Sequence, residues 1–189
     1  QVNKWILGAR PRTLPAAIAP VVVAVAIAYP TFNFINAILA LIVGLALQIA
    51  VNYANDYSDG VKGTDAERVG PTRLVASGLA SAAEVKQAAI TAFGIGGVAG
   101  LYLSIRTSYW LIAIGAAAII AAWRYTGGKN PYGYRGLGEV YVFIFFGLVA
   151  TIGTYYGQTG QVNIEVVMAA ISNGAVACAL LAVNNIRDI

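Results

Sequence analysis

The sequence contains no histidine, a single cysteine (Cys178), a single methionine (Met168) and few charges, with Asp, Glu, Lys and Arg making up 11% of its 189 residues. Without histidine there is no imidazole base and no His-ligated metal. One cysteine excludes a disulfide within the chain and a Cys-based zinc site; lying in an apolar run, Cys178 reads as a small buried hydrophobe. An ordinary soluble domain is about 25% charged. Less than half that share, with 59% hydrophobic residues, excludes such a domain and indicates an integral membrane protein. Metal chemistry through hard oxygen ligands stays open. Met168 is the only methionine, so Gln1 is not an initiator, and the chain stops at Asp188-Ile189 directly after a polar cluster. The expectation is one transmembrane domain over 1–189, incomplete at its C-terminal side.

A membrane helix needs about 20 mostly apolar residues, or ~17 at the short end. Six stretches qualify, at 14–30, 34–54, 82–104, 108–125, 139–157 and 163–184. They lack polar alternation, which predicts an all-α bundle and not a barrel. Pro11, Pro15 and Pro20 make the first run unlike a secretory signal, and Pro20 is expected to kink it. Gly96, Gly97 and Gly100 are expected to allow close helix contact.

Charge separates sharply by loop. Lys4, Arg10, Arg12, Lys62, Arg68, Arg73, Lys86, Arg124, Lys129, Arg135 and Arg187 fall on one side, which is eleven of the twelve basic residues, and Arg106 alone falls on the other. Seven of the eight acidic residues share the basic side, Glu165 being the exception. The positive-inside rule places that face and the N-terminus in the cytoplasm, in a multi-pass chain of the bacterial cell membrane. The basic residues are dispersed among carboxylates with no aromatic-interleaved stripe, which argues against a nucleic-acid partner. Part of the charge is accounted for by topology and anionic lipid headgroups.

The polar residues that remain are grouped. The segment VNYANDYSDGVKGTD (51–65) follows an apolar run. Continued as a helix, it puts Asn52, Asp56 and Asp59 at i, i+4 and i+7, with Asn55 and Asp59 a second i, i+4 pair. A solvated helix end would account for any one of these residues. Together they suit Mg²⁺, which takes oxygen ligands and commonly binds through one or two carboxylates plus substrate phosphate. Asp65 lies beyond Gly60 and Gly63, where the chain can turn back, and Lys62, Arg68 and Arg73 supply cations for phosphate oxygens. AVNYAND (50–56) is echoed by AVNNIRD (182–188), where Asn184 and Asp188 are i, i+4 and Asn185 and Asp188 are i, i+3. This predicts a pseudo-repeat that brings two acidic helix ends to one cavity, able to hold two metal ions flanking a diphosphate. The third polar segment, YTGGKNPYGYRGLGE (125–139), reads as a loop. In it Lys129 and Arg135 can approach an anion, and Tyr125, Tyr132 and Tyr134 offer hydroxyls or ring faces. An interfacial aromatic belt with topogenic charges would account for it equally well.

With these residues in place the chain resembles the UbiA-type intramembrane prenyltransferases. Asn55-Asp56-x-x-Asp59 followed by Asp65 is similar to the family's first aspartate-rich motif, and Tyr125-Thr-Gly-Gly-Lys129 to its YxxxK element. NDYSDGVKGTD, RVGPTRLVASG, YTGGK, GLGE and NNIRD in that order look most like the family's 1,4-dihydroxy-2-naphthoate branch. Two features depart from the wider family pattern. The third carboxylate falls six residues after Asp59, with Gly at 63, and the chain stops before the second Asp of the second motif. The resemblance implies a bundle of about nine helices, six of them present here.

The implied activity is Mg²⁺-dependent transfer of a polyprenyl group from polyprenyl diphosphate to 1,4-dihydroxy-2-naphthoate with decarboxylation, giving demethylmenaquinone. Asp56, Asp59, Asp188 and Lys129 are the expected catalytic residues. The expected metal set is Asp56, Asp59, Asp65 and Asp188 with Asn52, Asn55 and Asn184. Lys62, Arg68, Arg73, Lys129 and Tyr125 are expected on the diphosphate, and Arg135, Glu139 and Asn185 at the aromatic acceptor, for which Arg12 is a further candidate although a topogenic charge accounts for it better. Membrane-facing apolar surfaces would hold the isoprenoid. Two alternatives stay open: another acceptor such as 4-hydroxybenzoate, and a membrane transporter, since intramembrane carboxylates also mark ion pathways. A phosphatidyl-alcohol transferase would need a D-G-x-x-A-R motif, which the sequence lacks.

Overall fold

The structure is a computed structural model that describes residues 3–63 and 72–187, the last of them in its backbone only. Among the described residues eight α-helices follow one another: α1 (Lys4–Ala9), α2 (Pro15–Ala28), α3 (Phe34–Lys62), α4 (Ala82–Arg106), α5 (Trp110–Arg124), α6 (Gly138–Val142), α7 (Ala150–Thr159) and α8 (Ile164–Arg187). Short 3-10 turns occupy Pro11–Thr13 and Tyr132–Arg135, and a π-helical stretch, Phe143–Val149, joins α6 to α7. No strand occurs among the described residues.

All six apolar stretches are helical. Among the described residues four helices are long and apolar enough to cross a membrane alone: Phe34–Lys62, Ala82–Arg106, Gly138–Thr159 and Ile164–Ile186. The first stretch becomes a fifth span only together with α1, across a bend of 51° between Lys4–Thr13 and Pro15–Ala28. Helix α5, at 15 residues, rises about 22 Å at 1.5 Å per residue, short of a ~30 Å hydrocarbon core. The bend itself was not expected. The helix runs on through Pro20; the break lies earlier, where Arg10 takes a left-handed φ of 51° and Pro11 and Pro15 each start a new helical segment. Proline has no amide hydrogen to lose at a first helical position.

Local signals set the other ends. Asn33 caps α3 by accepting from the Asn36 amide, and Gly63, at φ 73°, terminates it. Ser81 and Glu84 form a reciprocal capping box at the start of α4. Asn163 accepts the Val166 amide at the start of α8.

Helices α3 and α4 form the principal antiparallel pair, and α8 packs on the π stretch and α7, with α2 against α3, α7 and α8. The buried contacts are rich in alanine: Ala50, Ala54, Ala89 and Ala92 surround Tyr53, Val85 and Phe93, and Ala24 and Ala28 meet Tyr155 and Val166. Small residues let backbones approach where lipid supplies no hydrophobic drive for helix association. Large apolar side chains such as Val98, Leu101, Val176 and Val183 point outward, as a bilayer-facing surface requires. Of the three α4 glycines expected to allow close contact, Gly96 is the close point, since a Cβ there would lie 3.2 Å from Leu47; Gly97 and Gly100 leave ordinary spacing.

The tightest crossing was not anticipated. A Cβ at Gly147 would sit 2.5 Å from Gly174 Cα and 2.9 Å from the Ala170 carbonyl, and one at Gly174 would sit 2.7 Å from the Phe143 ring. At Gly147 the obstacle is backbone, which cannot rotate away. Gly147→Ala should therefore lower stability by roughly 1–3 kcal/mol through overpacking. Gly153→Ala, where nothing lies within 4 Å, should be neutral or stabilising by up to about 1 kcal/mol. Thermal unfolding of both variants in detergent checks the contrast.

Candidate active site

The last turns of α3 carry polar side chains that are nonetheless buried: Asn52, Asn55, Asp56 and Asp59 are 3%, 9%, 0% and 4% exposed. A buried carboxylate is costly unless hydrogen-bonded or paired, so the neighbours of these groups define the site.

Two loops distant in sequence converge on Asn55 and Asp59. Thr126 donates its hydroxyl to Asn55 Oδ1 at 2.7 Å. The Tyr134 hydroxyl donates to Asp59 Oδ1 in a short contact, and the Arg73 guanidinium lies 4.0 Å from Asp59 Oδ2, both side chains almost fully buried. Lys62 donates to the Thr126 carbonyl at 2.6 Å and stands 5.1 Å from the centre of the Tyr134 ring. The expected diphosphate residues Lys62 and Arg73 thus meet Asp59 and Asn55 at one helix end. Tyr125 lies beside them, its ring packed edge-on to Tyr132 at 5.5 Å. Tyr132 in turn stacks on Tyr141 at 3.8 Å and donates to the Ala121 carbonyl; burial pushes its phenol well above the ordinary value, so it remains a donor at neutral pH.

Asp56 and Asn52 face other partners. Asp56 Oδ2 accepts the Leu74 amide at 2.8 Å and Oδ1 the Val75 amide at 3.1 Å. Asn52 donates to the Ala9 carbonyl and the Thr13 hydroxyl and accepts from Gln48. It is a strut between α3 and the N-terminal segment, where a place among the metal ligands was expected. Lys129 and Arg135 are exposed, as is Arg12. Glu139 is half-buried at the start of α6, and its carbonyl accepts from the Cys178 thiol at 3.2 Å. Asn184 and Asn185 sit at the end of α8, a helix whose principal neighbours are the π stretch, α7, α2 and α6. Asp65, Arg68 and Asp188 lie outside the described residues, and with them the meeting of two acidic helix ends. Thr126 and Tyr134 as direct partners of the α3 cluster were not foreseen; Thr126 stood inside the YTGGK segment, and its polarity beside Tyr125 was the available signal.

The donors match a hard divalent cation in kind, since carboxylate and amide oxygens are what Mg²⁺ takes. Among the described residues no three His, Cys, Asp or Glu side chains gather closely enough to hold a metal. Asp59 and Asn55 are the described residues that fit, as part of a set.

The profile of the UbiA prenyltransferase family matches residues 17–189. The chain belongs to that family. It is 52% identical over 188 residues to the 1,4-dihydroxy-2-naphthoate octaprenyltransferase of Mycobacterium tuberculosis, covering 98% of this chain and 64% of that protein. It is 39% identical to the Escherichia coli protein of the same name, covering all of this chain and 64% of the relative. A UbiA prenyltransferase domain-containing protein 1 homolog of Drosophila melanogaster is 28% identical, with 54% of its length covered. The chain therefore spans slightly less than two thirds of the length of these bacterial relatives. No solved structure matches significantly. For this UbiA-family chain the convergence on α3 predicts a measurable cost of uncoupling one loop. Thr126→Val leaves the buried Asn55 oxygen without its hydroxyl donor and should destabilise by about 1–3 kcal/mol, read by thermal unfolding in detergent.

Proposed function

We propose that the protein to which this chain belongs transfers a polyprenyl group from polyprenyl diphosphate to 1,4-dihydroxy-2-naphthoate at the membrane face where α3 ends. The supporting observation is the convergence of Asn55, Asp59, Lys62 and Arg73 in a chain whose 52% identical relative carries that acceptor in its name. In the reaction the allylic C–O bond of the diphosphate breaks and diphosphate departs. A bond forms between the allylic carbon and the naphthoate ring carbon bearing the carboxylate, and carbon dioxide leaves from that carbon. The product is the demethylmenaquinone skeleton in its hydroquinone form.

The residues suit the first step. Diphosphate is an anion both in the substrate and as the leaving group, and Lys62 and Arg73 are cations suited to bind its oxygens in both states. Arg73 is held in a nearly dry environment, where its charge is less screened than in water. Tyr134 orients Asp59 by its hydroxyl, and Thr126 orients Asn55. Asp59 and Asn55 would hold Mg²⁺, which when bound supplies neutralisation of the leaving group. Exposed apolar surfaces of the spans suit the isoprenoid tail, and the basic character of this face orients it to the cytoplasm.

The test uses membranes containing the full-length protein with Mg²⁺, a labelled polyprenyl diphosphate and either 1,4-dihydroxy-2-naphthoate or 4-hydroxybenzoate. Labelled lipid product and carbon dioxide are expected with the naphthoate and lost on chelation. Asp59→Asn should lower turnover on the order of 10²–10³-fold without loss of membrane insertion. Product only with hydroxybenzoate would overturn the acceptor, and product with neither the transfer itself.

A further inference from the structure

We propose that Asp56 is a positioning residue, whose carboxylate clamps the 72–80 segment to α3 and so delivers Arg73 to Asp59. Asp56 is fully buried, and its two oxygens accept the amides of consecutive residues, Leu74 and Val75. Those amides open a short turn closed by the Ser77 amide donating to the Arg73 carbonyl at 3.0 Å. Arg73 immediately precedes Leu74, so fixing the Leu74 amide fixes the backbone from which the guanidinium reaches Asp59.

The clamp is reinforced by packing on both sides. Leu74 is fully buried against Gly8, where a Cβ would lie 2.6 Å from Leu74 Cδ1 and 2.8 Å from Tyr53. Val75 is pressed on Gly60, where a Cβ would lie 2.5 Å from Val75 Cγ1. Lys4 donates to the Leu79 carbonyl at the far end of the segment. Hydrogen bonds from backbone amides to a carboxylate are charge-assisted and strong, and two of them on one buried carboxylate fix the loop backbone that carries them. The two neighbouring aspartates thus divide their work: Asp59 faces Arg73 and Tyr134, and Asp56 holds the segment that supplies Arg73.

The kinetic half of the test rests on the prenyl-transfer reading; the structural half does not. Asp56→Asn keeps the side-chain volume and loses one acceptor. In the full-length protein in nanodiscs, hydrogen–deuterium exchange of segment 72–80 should accelerate roughly tenfold to a hundredfold, with exchange in α4 and α8 unchanged. In the prenyl-transfer assay KM for the prenyl diphosphate should rise about tenfold, with kcat and the Mg²⁺ half-saturation within about twofold. Adding Arg73→Ala should raise KM no further than Arg73→Ala alone, because the clamp acts through that side chain. Gly60→Ala leaves the carboxylate intact while displacing Val75, and should reproduce both the faster exchange and the raised KM. Unchanged exchange at 72–80 would overturn the proposal, as would a raised Mg²⁺ half-saturation with KM unchanged. If the wild-type protein transfers no prenyl group, the functional reading fails and the exchange of the two variants alone decides the role of Asp56.

Discussion

Two carboxylates buried within one helical turn at the end of α3 are the constraint around which the polar half of this molecule is arranged. Neither Asp56 nor Asp59 has the water that would ordinarily solvate it, and each must be compensated in place. Asp59 draws a guanidinium and a phenol. Asp56 draws two amides from the connection that leads into α4. Satisfying these demands brings the 72–80 segment and the α5–α6 loop onto the same helix end. A buried pair of this kind is weak evidence for net stability, and its value here lies in where it puts Arg73.

The apolar half obeys a different rule. Helices facing lipid gain nothing by hiding large apolar groups from one another, so association relies on closeness. That explains the alanine contacts between α3 and α4 and the glycine crossing of the π stretch with α8. On the face away from the site, Asn36 donates to the Gly157 carbonyl at 2.7 Å and accepts from Arg106 at 2.9 Å. It thereby ties α3, α4 and α7 where their ends would otherwise splay. The bundle is thus fastened by polar contacts at both ends and by small residues between them.

Much of this was legible in the sequence because it depends on side-chain identity and period. Apolar runs marked the six long helical stretches, though not α1, and spacing marked the shared stripe of Asn52, Asn55, Asp56 and Asp59. What escaped depends on backbone or on contacts between distant segments. The partners of Asp56 are amide groups that every non-proline residue carries, so nothing in the letters Leu74 and Val75 marks them. The bend before α2 was not anticipated, because it rests on a left-handed Arg10 and on Pro11 and Pro15 standing at segment starts. The close approach at Gly147 depends on Gly174, 27 positions along the sequence, and no local pattern pairs them.

The stripe itself carries a finer division than i, i+4 counting suggests. At about 100° per residue, Asn55 and Asp56 point roughly 100° apart, with Asp59 and Asn52 between them. Gly60 and Tyr53 extend the Asp56 edge, and these are the residues that meet Val75, Leu74 and Trp5. Lys62 extends the Asn55 edge, and both it and Asn55 meet Thr126. One edge of the helix is therefore given to anchoring the α1 and 72–80 segments, and the other to the 125–134 loop. Asp59 lies between the edges and is the side chain reached from both, by Arg73 from one and Tyr134 from the other. A carboxylate in that position is held by two independently anchored groups, so its orientation does not depend on either loop alone. Such double support gives a reacting diphosphate a fixed array of charge to meet, because reorganisation at the moment of reaction is what preorganised sites avoid.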